Sequence, residues 1–204
     1  MEKEELVKRA KIACDSFNGI VPYHEIFYIH SIIYSASRAL EAFERYKELR
    51  KKKVNPSYLI ATVQEAIGHS AALSRYFWPS GFYFKGPKEL KKLKDSRAKK
   101  LRDEFRLSDN SPLKNRNLRD AWEHFDERLD IYLISNDAGS FFPSPIIDSH
   151  KLADDPTGKV FKLLDPDEEC LVLLGEKFFF EPIIQEVQKI FSHAVKADNN
   201  GGRL

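Results

Sequence analysis

Apolar positions in the first two-thirds of this chain recur every three or four residues, the interval that returns side chains to one face of an α-helix. Leu6, Ala10 and Ala13 mark a short helix over 2–15 that stops before Asn18-Gly19. Ile26, Ile29, Ile33, Ala36, Leu40 and Phe43 follow in near-heptad spacing and predict a long helix from about His24 to Lys52. Val54-Asn55-Pro56 breaks that pattern and restarts it, with Asn55 as N-cap and Pro56 at the first helical position. The next helix runs to Trp78 on Leu59, Val63, Ala66, Ile67 and Leu73, and Pro79-Ser80-Gly81 ends it. Phe82–Gly86 reads as an aromatic loop. A helix from Pro87 to about Leu107 has a sparser stripe, Leu90, Leu93, Leu101 and Phe105. Ser108-Asp109-Asn110-Ser111-Pro112 is a turn and a helix start. Residues 113–135 then carry Leu118, Ala121, Trp122, Phe125, Leu129, Tyr132 and Leu133 on one continuous helical stripe.

The pattern changes after Asn136-Asp137-Ala138-Gly139. Phe141–Ile147 is apolar but holds Pro143 and Pro145, which restricts it to a loop or an edge strand. Val160–Leu164, Cys170–Leu174 and Lys177–Phe180 read as three short strands, with Gly175-Glu176 as a two-residue hairpin turn. Pro182 opens a final helix on Ile183, Val187, Ile190, Phe191 and Ala194, and Asp198–Leu204 reads as a frayed tail. The expected fold is mainly α. Residues 1–136 form an antiparallel four-helix bundle with its core over about 24–135. Residues 137–204 add a small α+β extension, a three-stranded meander plus a helix, packed on the bundle.

Composition fits a folded protein: 42% of the 204 residues are hydrophobic and 31% charged. No apolar run has the length of a membrane span, and the N-terminus lacks the apolar centre of a signal peptide. Cys14 and Cys170 stand in unrelated segments and read as reduced thiols, so the expected compartment is the cytoplasm. Net charge is +2, unevenly spread: residues 137–204 hold twelve acids and seven bases, a net of −5 that leaves +7 for the rest. Lys88–Arg106 alone has nine bases against four acids. Lys91, Lys92, Lys99 and Lys100 there, with Arg116, are the candidate contacts for a polyanion such as RNA. A solvated helix face is the alternative.

Candidate chemistry gathers in Arg119-Asp120-Ala121-Trp122-Glu123-His124, on the polar side of the 113–135 helix. Histidine moves protons near neutral pH, and arginine pairs with the charge that builds on a reacting phosphate. Asp120 lies one helical turn before His124 and is expected to orient its ring. Arg119 lies about 140° around the helix from His124, an awkward separation for one site within one chain. This helix resembles the last core helix of the HEPN (higher eukaryotes and prokaryotes nucleotide-binding) domains, in which an arginine, a polar residue and a short gap precede a histidine. The resemblance covers roughly residues 24–135. It implies a metal-independent endoribonuclease or RNA-binding protein without cofactor, its site built at a homodimer interface from Arg119, Asp120 and His124. The alternative is a non-catalytic helical protein that uses the same polar face, with its many ion-pairing side chains, to assemble with a protein partner.

Other residues carry less. Glu65 and His69 are one turn apart but need a second carboxylate–histidine pair to hold a metal, and only Asp120/His124 offers one. His30 reads as a hydrogen-bonded core residue, and His24, His150 and His193 as side chains near loops or chain ends without partners. Tyr76, Phe77, Trp78, Phe82, Tyr83 and Phe84 read as an aromatic cluster folded under the bundle, with stacking on unpaired bases as the alternative.

Overall fold

A computed structural model describes residues 2–79 and 86–204. The expected aromatic loop over 82–85 lies outside the described residues. Seven α-helices are described: α1 (Lys3–Phe17), α2 (Glu25–Leu49), α3 (Pro56–Phe77), α4 (Lys88–Phe105), α5 (Asn117–Glu123), α6 (Phe125–Ser135) and α7 (Glu181–Asn199). Among the described residues, strands are confined to the stretch between α6 and α7: β1 (Ser140–Phe142), β2 (Ile146–Ile147), β3 (Gly158–Val160), β4 (Lys162–Asp165), β5 (Cys170–Leu173) and β6 (Glu176–Phe179). The fold is mainly helical with a small strand-containing region near its C-terminal end. No described helix is long and apolar enough to cross a membrane.

Local signals explain some helix ends. Asn55 accepts a hydrogen bond from the Ser57 backbone N–H at 2.8 Å and so caps α3, with Pro56 at its first position. Asn18 ends α1 in the left-handed conformation, and the Gly19 N–H closes the cap on the Ala13 carbonyl at 2.9 Å. Arg106 ends α4 with a φ of 54°.

The contacts divide the chain into two compact units that do not follow a cut at residue 136. One comprises Met1–Ser37, Ser70–Lys114 and Val187–Leu204; the other comprises Arg38–His69 and Asn115–Glu186. In the first, α1 packs along α4, and Gly19 lies so close to α4 that a Cβ there would stand 2.3 Å from the Arg97 backbone nitrogen. Ile29, Ile32, Leu73, Phe77, Leu101, Phe105 and Ile190 are buried there. The tail is fixed rather than frayed: the Gly202 N–H donates to the Ala197 carbonyl at 3.0 Å, Arg203 to the Pro22 carbonyl, and the Leu204 N–H to Glu25 Oε2 at 3.1 Å.

In the second unit one continuous core joins helices and sheet. Phe43 and Tyr46 of α2, Leu59, Val63 and Ile67 of α3, and Leu118 and Ala121 of α5 pack with Leu164, Leu171, Leu173, Phe178 and Phe180. The sheet order is β2-β4-β5-β6, with β2 parallel to β4 and the other pairs antiparallel. The meander therefore gains an edge strand from the proline-bearing segment. Val160 instead belongs to a separate parallel pair, β1 with β3. The hairpin turn falls one residue earlier than expected. Leu173 pairs with Glu176, so Leu174 and Gly175 form the loop, at φ 51° and 79°. Two positive φ values give the turn a twist matched to its strands, which outweighs the ordinary reluctance of leucine to adopt it.

Candidate functional site

The stretch expected to form one helix over 113–135 is two helices broken at His124. Residues 108–114 form successive turns instead, and α5 begins at Asn117, whose N–H donates to the Asn115 side chain at 2.8 Å. Leu118 and Ala121 of α5 are buried in the core of their unit, and Trp122 and Phe125 pack against it. The Lys162 ammonium lies over both of those rings, 5.4 Å from the Trp122 centroid and 4.3 Å from that of Phe125. His124 has φ −112° and ψ 33°, outside the helical region. No proline or glycine stands near it, so the break is imposed by tertiary packing rather than by local propensity. Before the break two residues are fully buried, and after it none.

The charged side chains pair differently from the expectation. Arg119 Nη2 lies 2.5 Å from Asp120 Oδ1, and its Nε 3.3 Å from Glu123 Oε2. Asp120 is thus engaged by Arg119 and does not orient His124. The His124 ring is 57% exposed, with Nδ1 at 3.6 Å from Glu127 Oε1, an ion-pair distance when the ring is protonated. The turn between them is kept, with the His124 N–H donating to the Asp120 carbonyl at 3.1 Å, but the adjacent Arg119 guanidinium takes the Asp120 carboxylate. Arg116, half-buried, is the residue before α5.

Arg119, 18% exposed, lines a cavity of about 420 Å³ within the same unit. Gln64, Glu65 and Gly68 of α3 form one wall, Arg119, Trp122 and Glu123 of α5 another, and Ile67, Leu118 and Leu171 complete the apolar lining with Ala61. Glu65 is paired with Arg45 at 2.7 Å, which removes it from the expected Glu65/His69 metal pair. Among the described residues no three His, Cys, Asp or Glu side chains gather as a metal-ligand group.

The basic helix is less available than its sequence implied. Lys100 Nζ donates to Glu25 Oε1 at 2.6 Å, and both side chains are largely buried (16% and 7% exposed). Lys100 is therefore an internal residue, because Glu25 needs a compensating cation. Lys92 reaches Asp15 at 3.3 Å and Lys99 reaches Asp103 at 2.8 Å, while both remain exposed, as does Lys91.

Three histidines have partners that the sequence did not reveal. His150 Nδ1 lies 2.7 Å from Oδ2 of the buried Asp165, and the His150 N–H donates to the same oxygen at 2.8 Å. His193 stacks on Phe105 with centroids 4.7 Å apart. Burial and the neighbouring Arg106 lower its pKa, with Lys196 and Lys189 adding to this and Glu104 opposing it. His30 is exposed rather than part of the core, and its Nε2 lies 3.0 Å from Asp198. The pairs are 15 to 168 residues apart in sequence, so no local spacing could have signalled them. Comparison with protein-family models, with curated proteins and with solved structures finds no match for the chain.

Proposed function

We propose that this protein is a HEPN-like, RNA-acting homodimer whose site forms where the α5–α6 breaks of two chains meet. The observation that carries this reading is the face of α6. His124, Glu127, Ile131 and Ile134 follow at intervals of three, four and three residues, which places them on one side of the helix. Ile131 is 67% and Ile134 83% exposed. Two large aliphatic residues in water on one helical face suit a self-complementary two-fold contact, in which a surface meets its own copy. Pairing that face brings the two His124 rings toward one another. One imidazole can then take the proton of an attacking 2′-hydroxyl while the other protonates the leaving 5′-oxygen, and Arg119 supplies positive charge to the phosphate. In the HEPN-like reading α2, α3, α4 and the α5–α6 pair count as the four bundle helices. Lys91, Lys92 and Lys99 extend the RNA path.

A second reading, a non-catalytic assembly protein, is favoured by one specific observation. Arg119 is already held by two carboxylates, Glu127 lies 3.6 Å from His124, and Asp126 and Asp130 add acidic residues to the same helix. The two readings separate in one set of measurements on the full chain. Under the enzyme reading, wild type sediments as a dimer at micromolar concentration and cleaves single-stranded RNA in the presence of chelator. His124→Ala remains a dimer and loses cleavage, and the pair Ile131→Glu with Ile134→Glu becomes monomeric and inactive. A wild-type dimer that neither binds nor cleaves RNA establishes the assembly reading instead. A wild-type monomer overturns the interface.

A further inference from the structure

We infer that the cavity between α3 and α5 is a base-recognition subsite that receives an unpaired guanine of the RNA. The inference rests on the RNA-acting role of Arg119 and deepens it by naming what the strand must present. About 420 Å³ lies within the range of small-ligand pockets, roughly 300–1,000 Å³. The lining is apolar on most sides, with Trp122 as an aromatic wall suited to a base face. Its polar groups are Gln64, Glu65, Arg119 and Glu123.

The charges of that rim suit a base held beside the phosphate that Arg119 faces. Glu65 is matched by Arg45 at 2.7 Å and Glu123 by Arg119 at 3.3 Å, so the rim presents carboxylates next to a guanidinium rather than a cluster of cations. A carboxylate and a guanidinium together do fit the edges of guanine. Its N1–H and N2–H₂ donate to a carboxylate, and its O6 and N7 accept from arginine. Adenine presents only its N6–H₂ donor beside the N1 acceptor and matches a carboxylate with one bond fewer.

Gly68 is exposed and leaves the mouth of the opening free. It stands in the interior of α3, where glycine weakens a helix relative to alanine. A Cβ built on it meets nothing within 4 Å, and its φ is ordinary. Neither backbone conformation nor close packing within the chain requires glycine at this position. What a side chain there would do is fill the cavity mouth.

The test uses the full-length protein, guanosine and single-stranded oligonucleotides. In wild type, guanosine shifts the Trp122 indole N–H resonance, and an oligouridine carrying one guanine binds about tenfold more tightly than one carrying one adenine. Gly68→Leu, which has room for its side chain and gains helix propensity, melts no lower than wild type yet loses both the shift and the preference. Its affinity for plain oligouridine stays unchanged. Gly68→Ala, the smaller change, reduces the guanosine shift in part. Glu123→Gln keeps the shape and loses the guanine preference. A guanosine shift of equal size in wild type and Gly68→Leu overturns the inference, and so does RNA binding in wild type with no base preference. A guanosine shift that Gly68→Leu abolishes, in a protein that binds no RNA, leaves a nucleoside site in place and removes the RNA role instead.

Discussion

Asp165 is 4% exposed and accepts hydrogen bonds from four donors: the His150 ring, and the backbone N–H groups of His150, Asp167 and Glu168. Burial works to raise its pKa, but these donors outweigh it and hold the carboxyl below the ordinary range. A depressed carboxylate stabilises the fold fully above its unfolded value of about 3.9, and that stabilisation is lost as pH falls through the folded value. Asp165→Ala strands buried donors and is expected to cost about 3 kcal/mol at neutral pH. Asp165→Asn is expected to flatten the acid limb of a pH–stability curve measured by urea unfolding. His193 has the opposite charge type. Its lowered pKa favours the neutral ring in the folded state, so stability falls as pH drops below about 6.5, where the unfolded chain takes up the proton first. His193→Phe keeps the stack on Phe105 and is expected to remove that dependence between pH 7.5 and 5.5. A wild-type curve flat over this interval would contradict the assignment. Burial likewise pushes the Cys170 thiol up to about 11, so at pH 8 it should react with a thiol reagent only after unfolding.

At the scale of elements, two backbone positions carry sharp expectations. Gly19 has φ +90° and sits against the α4 backbone, where the nearest atoms are main-chain and cannot swing away. Gly19→Ala should therefore cost about 3 kcal/mol or more, from strain and overpacking together, visible as a lower melting temperature. Leu174 at φ 51° is the reverse case. Its N–H donates to the Phe161 carbonyl at 2.9 Å, a bond any residue can make. Leu174→Asn keeps that bond in a conformation asparagine tolerates and is expected to stabilise the hairpin by about 0.5–1 kcal/mol. Asn55→Ala removes the cap on α3 and should cost about 1 kcal/mol. Equal stability for this variant would mean that tertiary packing alone holds the start of α3.

For the whole molecule, the division into units has a direct consequence for truncation. Phe43, Tyr46, Leu59 and Val63 are buried partly under Leu164, Leu171, Leu173 and Phe178, and these belong to the same core. A fragment ending at residue 136 exposes that apolar surface to water. It is expected to keep helical circular dichroism but lose dispersed side-chain resonances and aggregate, as helices stripped of part of their core would. A fragment that folds cooperatively would show that the helices suffice by themselves. The change at 136 from helical to strand periodicity was legible in the sequence, and the small size of the strand region led to the expectation that it packs on the helices. Which residues share the core was not legible, because burial between segments more than a hundred residues apart leaves no local pattern.

The amino-acid sequence by itself determined most of the helices and several of their ends. These follow from residues a few positions apart: Asn55-Pro56 starting α3, Asn18-Gly19 ending α1, and Leu118 and Ala121 facing inward. It also singled out Arg119 and His124 as candidate residues for chemistry. Only the tertiary structure decided what they pair with. It broke the helix at His124, gave Asp120 to Arg119, turned Lys100 inward to Glu25, and set α3 beside α5 and β5 to leave a cavity at Gly68. Each of those outcomes depends on which distant side chain compensates a charge or fills a volume. Periodicity specifies the face a residue occupies, but the partner that meets that face is selected by packing of the folded chain.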